Sequence, residues 1–248
     1  MGELLKDKVC IVTGSVRGIG RAIAELYAVE GADVIVNGTR PGSADEWIEK
    51  SENRDRLHSY YFDITDASAV RQNVMAIKNQ FGHIDVLVNN AGVEFNELIG
   101  MISRDNMEKM FNVNVYGTIE MIQAVSRIMS RNKNGGSIIN ISSMVGLRGN
   151  AGQLVYSATK GAVIALTKSA AKELTSRGIR VNTIAPGLTQ TEMMEQADMD
   201  KLHGRISNIC MGRIAKPVDI AGACLLLASD YAGYISGQII PVDGCTIM

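Results

Sequence analysis

Val9-Cys10-Ile11-Val12-Thr13-Gly14-Ser15-Val16-Arg17-Gly18-Ile19-Gly20 is the stretch on which the fold turns. A short β-branched run ends in a glycine loop, and an amphipathic pattern over 18–30 begins at once. The stretch therefore reads as strand, turn and helix. Gly14, Gly18 and Gly20 let the backbone bend sharply and come close to a phosphate, with Ser15, Arg17 and Ile19 as further candidate contacts. The helix start then offers unpaired N–H groups and the positive end of its dipole. A tight strand–helix turn without a ligand would give the same glycines, so the rest of the chain has to decide.

Outward from that loop, short apolar runs at 33–37, 58–62, 85–88, 137–141, 179–184 and 238–242 alternate with helical patterns. The helical patterns fall at 67–81, 107–131, 155–176 and 217–228. Such alternation predicts βαβ units: a Rossmann-like, doubly wound α/β fold with a parallel sheet of about seven strands and helices on both faces. No linker or repeat interrupts it, so residues 1–248 read as a single domain, with 186–215 as a lid within it.

Composition narrows the function. The chain has 248 residues, a formal charge of −1, 46% hydrophobic and 21% charged residues, which excludes wholesale disorder. A near-zero charge with no basic run argues against nucleic acid as a partner. No apolar stretch is long enough to span a membrane, and the N-terminus lacks a signal peptide, so a cytoplasmic setting is expected. The four cysteines are scattered, which indicates neither a zinc site nor a disulfide scaffold, and no metal is expected. Cys245-Thr246-Ile247-Met248 fits a prenylation box, read here as a chance match in a tail that packs in the fold.

The second strand bears on the cofactor. A dinucleotide fold that takes NAD usually ends this strand in an acid for the ribose 2′-hydroxyl. Here it ends Val36-Asn37-Gly38-Thr39-Arg40. Arg40 and Arg17, with Asn37 and Thr39, suit a 2′-phosphate instead, which points to NADP(H). Ordinary surface arginines are the plain alternative.

Tyr156 and Lys160 stand four residues apart in a helical pattern, so phenol and ammonium share a face. A nearby ammonium favours the phenolate, so the tyrosine is a candidate general acid or base. Ser143 follows the apolar run 138–141, where active-site residues of open sheets gather. Asn89-Asn90-Ala91-Gly92 follows another such strand, and Asn114 lies in a long helical pattern beside Gly117, a locally unfavourable pair.

Together these residues resemble the short-chain dehydrogenase/reductase family over essentially the whole chain. The resemblance rests on Thr13–Gly20, Asn89–Gly92, Asn114, Ser143, Tyr156, Lys160 and Pro186-Gly187, in order and at the family's spacing. It implies hydride transfer between a nicotinamide and a carbonyl or carbinol carbon. Tyr156 would give the proton, and Ser143 would hold the oxygen. Lys160 would bind the ribose and lower the Tyr156 pKa, and Asn114 would place a relay water. Asp63 and Ile64 would meet the adenine, while Asn89 and Gly92, with Asn90 and Ala91, would line the adenosine side. Pro186, Gly187, Thr189 and Thr191 would border the carboxamide.

Within the family, 145–153, 176–178, 212–214 and the closing segment resemble 3-oxoacyl-[acyl-carrier-protein] reductases. That implies a 3-oxoacyl thioester as substrate and a homotetramer. Arg177, with Lys133 and Arg131, would receive an acidic acyl carrier protein. Two positions depart from those reductases: Glu94-Phe95-Asn96 replaces a Thr-Arg-Asp-like triplet, and Cys245 replaces a glycine. Oxidation of a steroid, sugar or polyol hydroxyl, or nucleotide binding without catalysis, remain alternatives.

Overall fold

The computed structural model describes residues 3–190 and 206–247. Its strands are β1 (Val9–Val12), β2 (Asp33–Gly38), β3 (Leu57–Tyr61), β4 (Val86–Asn89), β5 (Gly136–Ile141), β6 (Ile179–Pro186) and β7 (Ile239–Val242). They form one parallel sheet in the order β3-β2-β1-β4-β5-β6-β7. The helices are α1 (Gly18–Val29), α2 (Asp45–Glu49), α3 (Ala67–Phe81), α4 (Arg104–Phe111), α5 (Thr118–Met129), α6 (Val145–Arg148), α7 (Leu154–Leu174) and α8 (Pro217–Ala228).

Both sheet faces are covered, which is why the central strands read as continuous apolar runs rather than alternating ones. Successive residues of β1 serve opposite layers. Cys10 and Val12 pack with Ile23 and Tyr27 of α1 and Ile220 and Leu227 of α8. Val9 and Ile11 pack with Val74 of α3 and Met121 and Val125 of α5. Each fully buried aliphatic side chain contributes about 1.5–3 kcal/mol. The Tyr27 hydroxyl, wholly buried, donates to the Cys224 carbonyl at 2.9 Å, so that layer keeps no orphaned phenol.

Helix α3 keeps its expected bounds because its ends are chemically marked. The Asp66 carboxylate accepts from the Ser68 and Ala69 amides, and Gly82 closes the helix at φ +87°. The 107–131 pattern resolves differently. It splits into α4, a π-helical turn over Asn112–Gly117, and α5. The Thr118 hydroxyl donates to the Asn114 carbonyl at 2.9 Å, and a side chain at Gly117 would lie 2.8 Å from Ile64. The widened turn thus falls on the Asn114–Gly117 pair that breaks the helical pattern in sequence. The short helices α2 and α6 have too few turns to show a period.

The sheet order reverses between β1 and β4, so the loops that leave their carboxyl ends diverge and open a crevice. The tail packs back as expected: the Met211 amide donates to the Gly244 carbonyl at 3.0 Å and the Ile247 amide to Asn208 at 2.8 Å. Among the described residues no helix is long and apolar enough to cross a membrane, and no group of three or more His, Cys, Asp or Glu could hold a metal. Thr191 and much of the expected lid, 191–205, lie outside the described residues.

Candidate active site

The glycine loop is held by neutral amides and hydroxyls. The Thr13 hydroxyl accepts from the Asn90 and Ala91 amides, both at 3.0 Å. The Asn90 side chain donates to the Thr13 and Gly14 carbonyls, both at 3.0 Å. A Cβ on Gly20 would lie 2.5 Å from that Asn90 amide, and one on Gly14 would lie 2.8 Å from Ala91. Gly14 and Gly18 also adopt φ near +60°, where a side chain is strained. The glycine spacing is therefore a packing requirement as well as a bare backbone surface.

Three of the cofactor candidates turn their side chains inward. The Ser15 hydroxyl, fully buried, donates to the Val12 carbonyl at 2.6 Å and accepts from the Asn37 amide at 3.0 Å. The Asn37 side chain, 2% exposed, donates to the Phe62 carbonyl at 3.1 Å and accepts from the Gly14 amide at 3.3 Å. Asn90 is spent on the loop as described. Asn37 thus does not reach out towards a 2′-phosphate. Buried amides must bond somewhere, and here the nearest unpaired groups belong to the loop itself. Arg17, Thr39 and Arg40 are exposed, and Asp63 is exposed at the end of β3 with its Oδ1 accepting from Thr65 at 2.8 Å. Ile64 is buried beside Gly117, and Ile19 is half-buried in the first turn of α1.

These residues fit a dinucleotide. Helix α1 has no side-chain cap and no acid in its first turn, so its leading N–H groups and dipole face the crevice beside a loop stripped of Cβ atoms.

The second half of the site is built across β4, β5 and α7. The Asn114 side chain clamps Val93 from both sides, accepting from its amide at 2.8 Å and donating to its carbonyl at 2.9 Å. It also donates to the Thr159 hydroxyl at 3.0 Å, and that hydroxyl donates to the Tyr156 carbonyl at 2.8 Å. One asparagine thus ties the π turn, the loop after β4 and the catalytic helix together. Lys160, 4% exposed, donates to the Ile141 carbonyl at the end of β5 at 2.9 Å. A Cβ on Gly92 would lie 3.4 Å from the Lys160 ammonium and 3.3 Å from Asn114 Oδ1, so the three converge. Pro186 ends β6, and a side chain on Gly187 would run into Asp243 at 2.8 Å. Thr189 is buried, and its hydroxyl donates to the Gly187 carbonyl at 3.1 Å.

The electrostatics differ from the simple tyrosine–lysine expectation. Burial pushes the Tyr156 phenol well above its usual range, the Glu94 charge pushes it further, and a hydrogen bond with Ser143 draws it partly back. The Lys160 ammonium, 5.7 Å from the ring centroid, is itself lowered to about 8 by burial, against some support from Glu94. Burial thus works on both partners, raising the phenol and lowering the ammonium, and the Lys160 ammonium is turned to the Ile141 carbonyl.

Sequence reading missed several supports. Gly146 is one, since a Cβ there would lie 2.7 Å from the Lys160 carbonyl carbon, and only glycine lets α6 and α7 approach so closely. Gln153 is another, as its amide donates to the Glu94 carboxylate. Neither pairing leaves a signal at helical or strand spacing. The basic residues Arg131, Lys133 and Arg177 are all exposed and lie on touching loops, where the Gly136 amide donates to the Gly178 carbonyl at 3.2 Å. That patch sits at the amino ends of β5 and β6, whereas Ser143 follows the carboxyl end of β5. Within one chain the two are separated by the length of a strand, about 3.3 Å per residue.

Known proteins place this architecture. A family model described as enoyl-(acyl carrier protein) reductase matches residues 14–245. A 3-oxoacyl-[acyl-carrier-protein] reductase of Thermotoga maritima is 39% identical, over 97% of this chain and 98% of its own. A namesake from Vibrio harveyi is 41% identical over 97% of each. A 3α-hydroxysteroid dehydrogenase of Mediterraneibacter gnavus is 38% identical over 98% of each. With the parallel sheet, the glycine loop and the Ser143–Tyr156–Lys160 cluster already in place, the chain belongs to the short-chain dehydrogenase/reductase family, oxidoreductases that work with a nicotinamide cofactor.

Proposed function

We propose that this protein reduces a 3-oxoacyl thioester to the 3-hydroxyacyl thioester with NADPH. The observation that carries the reading is the buried Tyr156 phenol hydrogen-bonded to Ser143, just past the carboxyl end of β5. A neutral acid suits reduction, because the developing alkoxide needs a proton at once. Tyr156 donates that proton to the oxygen. Ser143 donates a second hydrogen bond to it and holds it in place. When bound, the reduced nicotinamide supplies the hydride that reaches the carbonyl carbon. Lys160 binds the ribose hydroxyls, and Asn114 positions the water that relays a proton towards Lys160. Asp63, Ile64, Ala91 and Gly92 hold the adenosine end, with Gly14, Gly18, Ile19 and Gly20 at the pyrophosphate. Pro186, Gly187, Thr189 and Thr191 border the carboxamide.

The NADP(H) assignment rests on Arg17, exposed at the start of α1, and Arg40, exposed two residues past the end of β2, a strand whose sequence ends without an acid. The acyl group reaches the site as a carrier-protein or coenzyme A thioester. The basic patch at Arg131, Lys133 and Arg177 offers an acidic carrier a docking face only from a neighbouring copy or from a distance. Self-association draws support from apolar side chains left exposed on the π turn, α5 and α7: Tyr116, Ile119 and Leu154. The resemblance implies a symmetric tetramer, which light scattering checks.

The testing experiment is a panel of acetoacetyl thioesters, steroid ketones and sugar ketones with NADPH and NADH. Turnover of the thioesters with NADPH is expected. A preference for a steroid ketone would favour the reading printed in the name of the Mediterraneibacter relative. Tight cofactor binding with no turnover would mark a silent nucleotide-binding protein.

A further inference from the structure

Glu94 stands in the segment after β4, where this chain departs from the reductases it resembles. Both sides of it are anchored. Val93 is clamped by Asn114, and the Glu97 amide donates to the Gly152 carbonyl at 2.8 Å, in a parallel bridge with Gln153. Between those anchors the Glu94 carboxylate takes a hydrogen bond from the Gln153 amide. Gln153 is 8% exposed, and its own carbonyl accepts from Asn150 at 2.7 Å, so it is a fixed mount three residues before Tyr156. Glu94 itself is half-buried. Among the described residues no lysine, arginine or histidine pairs with Glu94, and no hydrogen bond engages its second oxygen. The Lys160 ammonium is turned to the Ile141 carbonyl instead. The Glu94 charge nevertheless reaches both Tyr156 and Lys160.

We propose that Glu94 is a specificity residue that admits carbonyl compounds with no negative charge beside the reacting carbon and rejects the corresponding free oxo-acids. The proposal rests on the ketone-reductase reading above. Glu94 is mounted on Gln153, three residues before Tyr156, so a carbonyl oxygen held by Tyr156 and Ser143 brings the groups next to the reacting carbon within reach of its charge. A thioester or ester there is neutral, whereas a carboxylate meets a fixed like charge in a partly desolvated site. Discrimination by an installed repulsion is a common route to specificity. It also separates the acyl thioester from its hydrolysis product, a distinction that the fit of an alkyl chain cannot make.

The test compares kcat/KM for acetoacetate and for its neutral ethyl ester, with NADPH, in the wild type, Glu94→Gln and Glu94→Thr. Glu94→Gln keeps the shape and removes the charge, and Glu94→Thr removes the charge with a different shape. The acid-to-ester ratio is expected to rise about tenfold or more in both variants. A loss of structural support alone would slow both substrates and leave the ratio where it was. An unchanged ratio overturns the proposal while leaving the function intact. A wild type that reduces no neutral 3-oxo ester overturns the function, and this inference with it.

Discussion

The two halves of the crevice are made of opposite materials. The loop after β1 is glycine, hydroxyl and amide, with every inward side chain bonded to backbone: Thr13, Ser15, Asn37 and Asn90. The cluster at the ends of β4 and β5 holds buried titratable groups, Tyr156 and Lys160, with Glu94 mounted beside them. The first half achieves shape at little electrostatic cost, since its buried polar groups are neutral and satisfied and its arginines, Arg17 and Arg40, are exposed. The second carries desolvated charge, and it stays in place because Asn114, Thr159, Ser142 and Gly146 leave it no room to relax. Binding needs a rigid surface, whereas proton transfer needs a group whose charge state is costly to hold.

If that contrast is right, the two halves fail in different ways. Lys160→Met removes a buried ammonium and keeps most of its apolar stem. Its folded pKa, about 8, lies below the ordinary 10.5. Below pH 8 both folded and unfolded chains hold the proton and the burial penalty is full. Between about 8 and 10.5 the folded chain sheds its proton first, and the penalty fades as pH rises. Thermal unfolding at pH 7 should therefore show Lys160→Met as stable as the wild type or more so, by up to about 3 kcal/mol. The advantage should shrink towards pH 10.5, and turnover should be lost throughout.

Gly20→Ala attacks the neutral half. A methyl group 2.5 Å from both the Asn90 side chain and the Gly14 carbonyl forces the loop apart. Denaturant melts are expected to show about 1–3 kcal/mol of lost stability, with cofactor affinity lost alongside it. A Gly20→Ala protein with unchanged Kd and stability would mean that the loop is softer than its contacts indicate.

Arg40→Ala should have the smallest effect and touch only the cofactor choice. Losing one charge-assisted contact costs about 1.5 kcal/mol, near tenfold in Kd for NADPH, with little change for NADH. Titration by cofactor fluorescence reads both. Equal changes for the two cofactors would detach Arg40 from the 2′-phosphate.

The neutral half was the more legible in sequence. Its glycines and strand ends are contiguous, and local backbone demands leave local signatures. Even so, the inward turn of Ser15 and Asn37 leaves no sequence signal, because a polar residue beside a glycine loop looks the same whether it serves a ligand or the loop. In the charged half, Tyr156, Lys160 and Ser143 could be picked out by spacing and strand ends, and Asn114 by a break in helical pattern. The downward shift of Lys160 has no sequence signal, since it comes from how deeply the ammonium is buried, with a carboxylate 66 residues before it in the chain working the other way. The same holds for Arg177, whose place at the far end of β6 comes from topology and not from its neighbours in sequence.

The central claim is that Tyr156 is the proton donor of a site whose binding half works independently of it. Tyr156→Phe tests both parts when turnover with NADPH and an acetoacetyl thioester is measured alongside NADPH affinity. A fall in kcat of about a hundredfold to ten-thousandfold is expected, with Kd for NADPH unchanged within about twofold. Turnover in Tyr156→Phe equal to that of the wild type would contradict it.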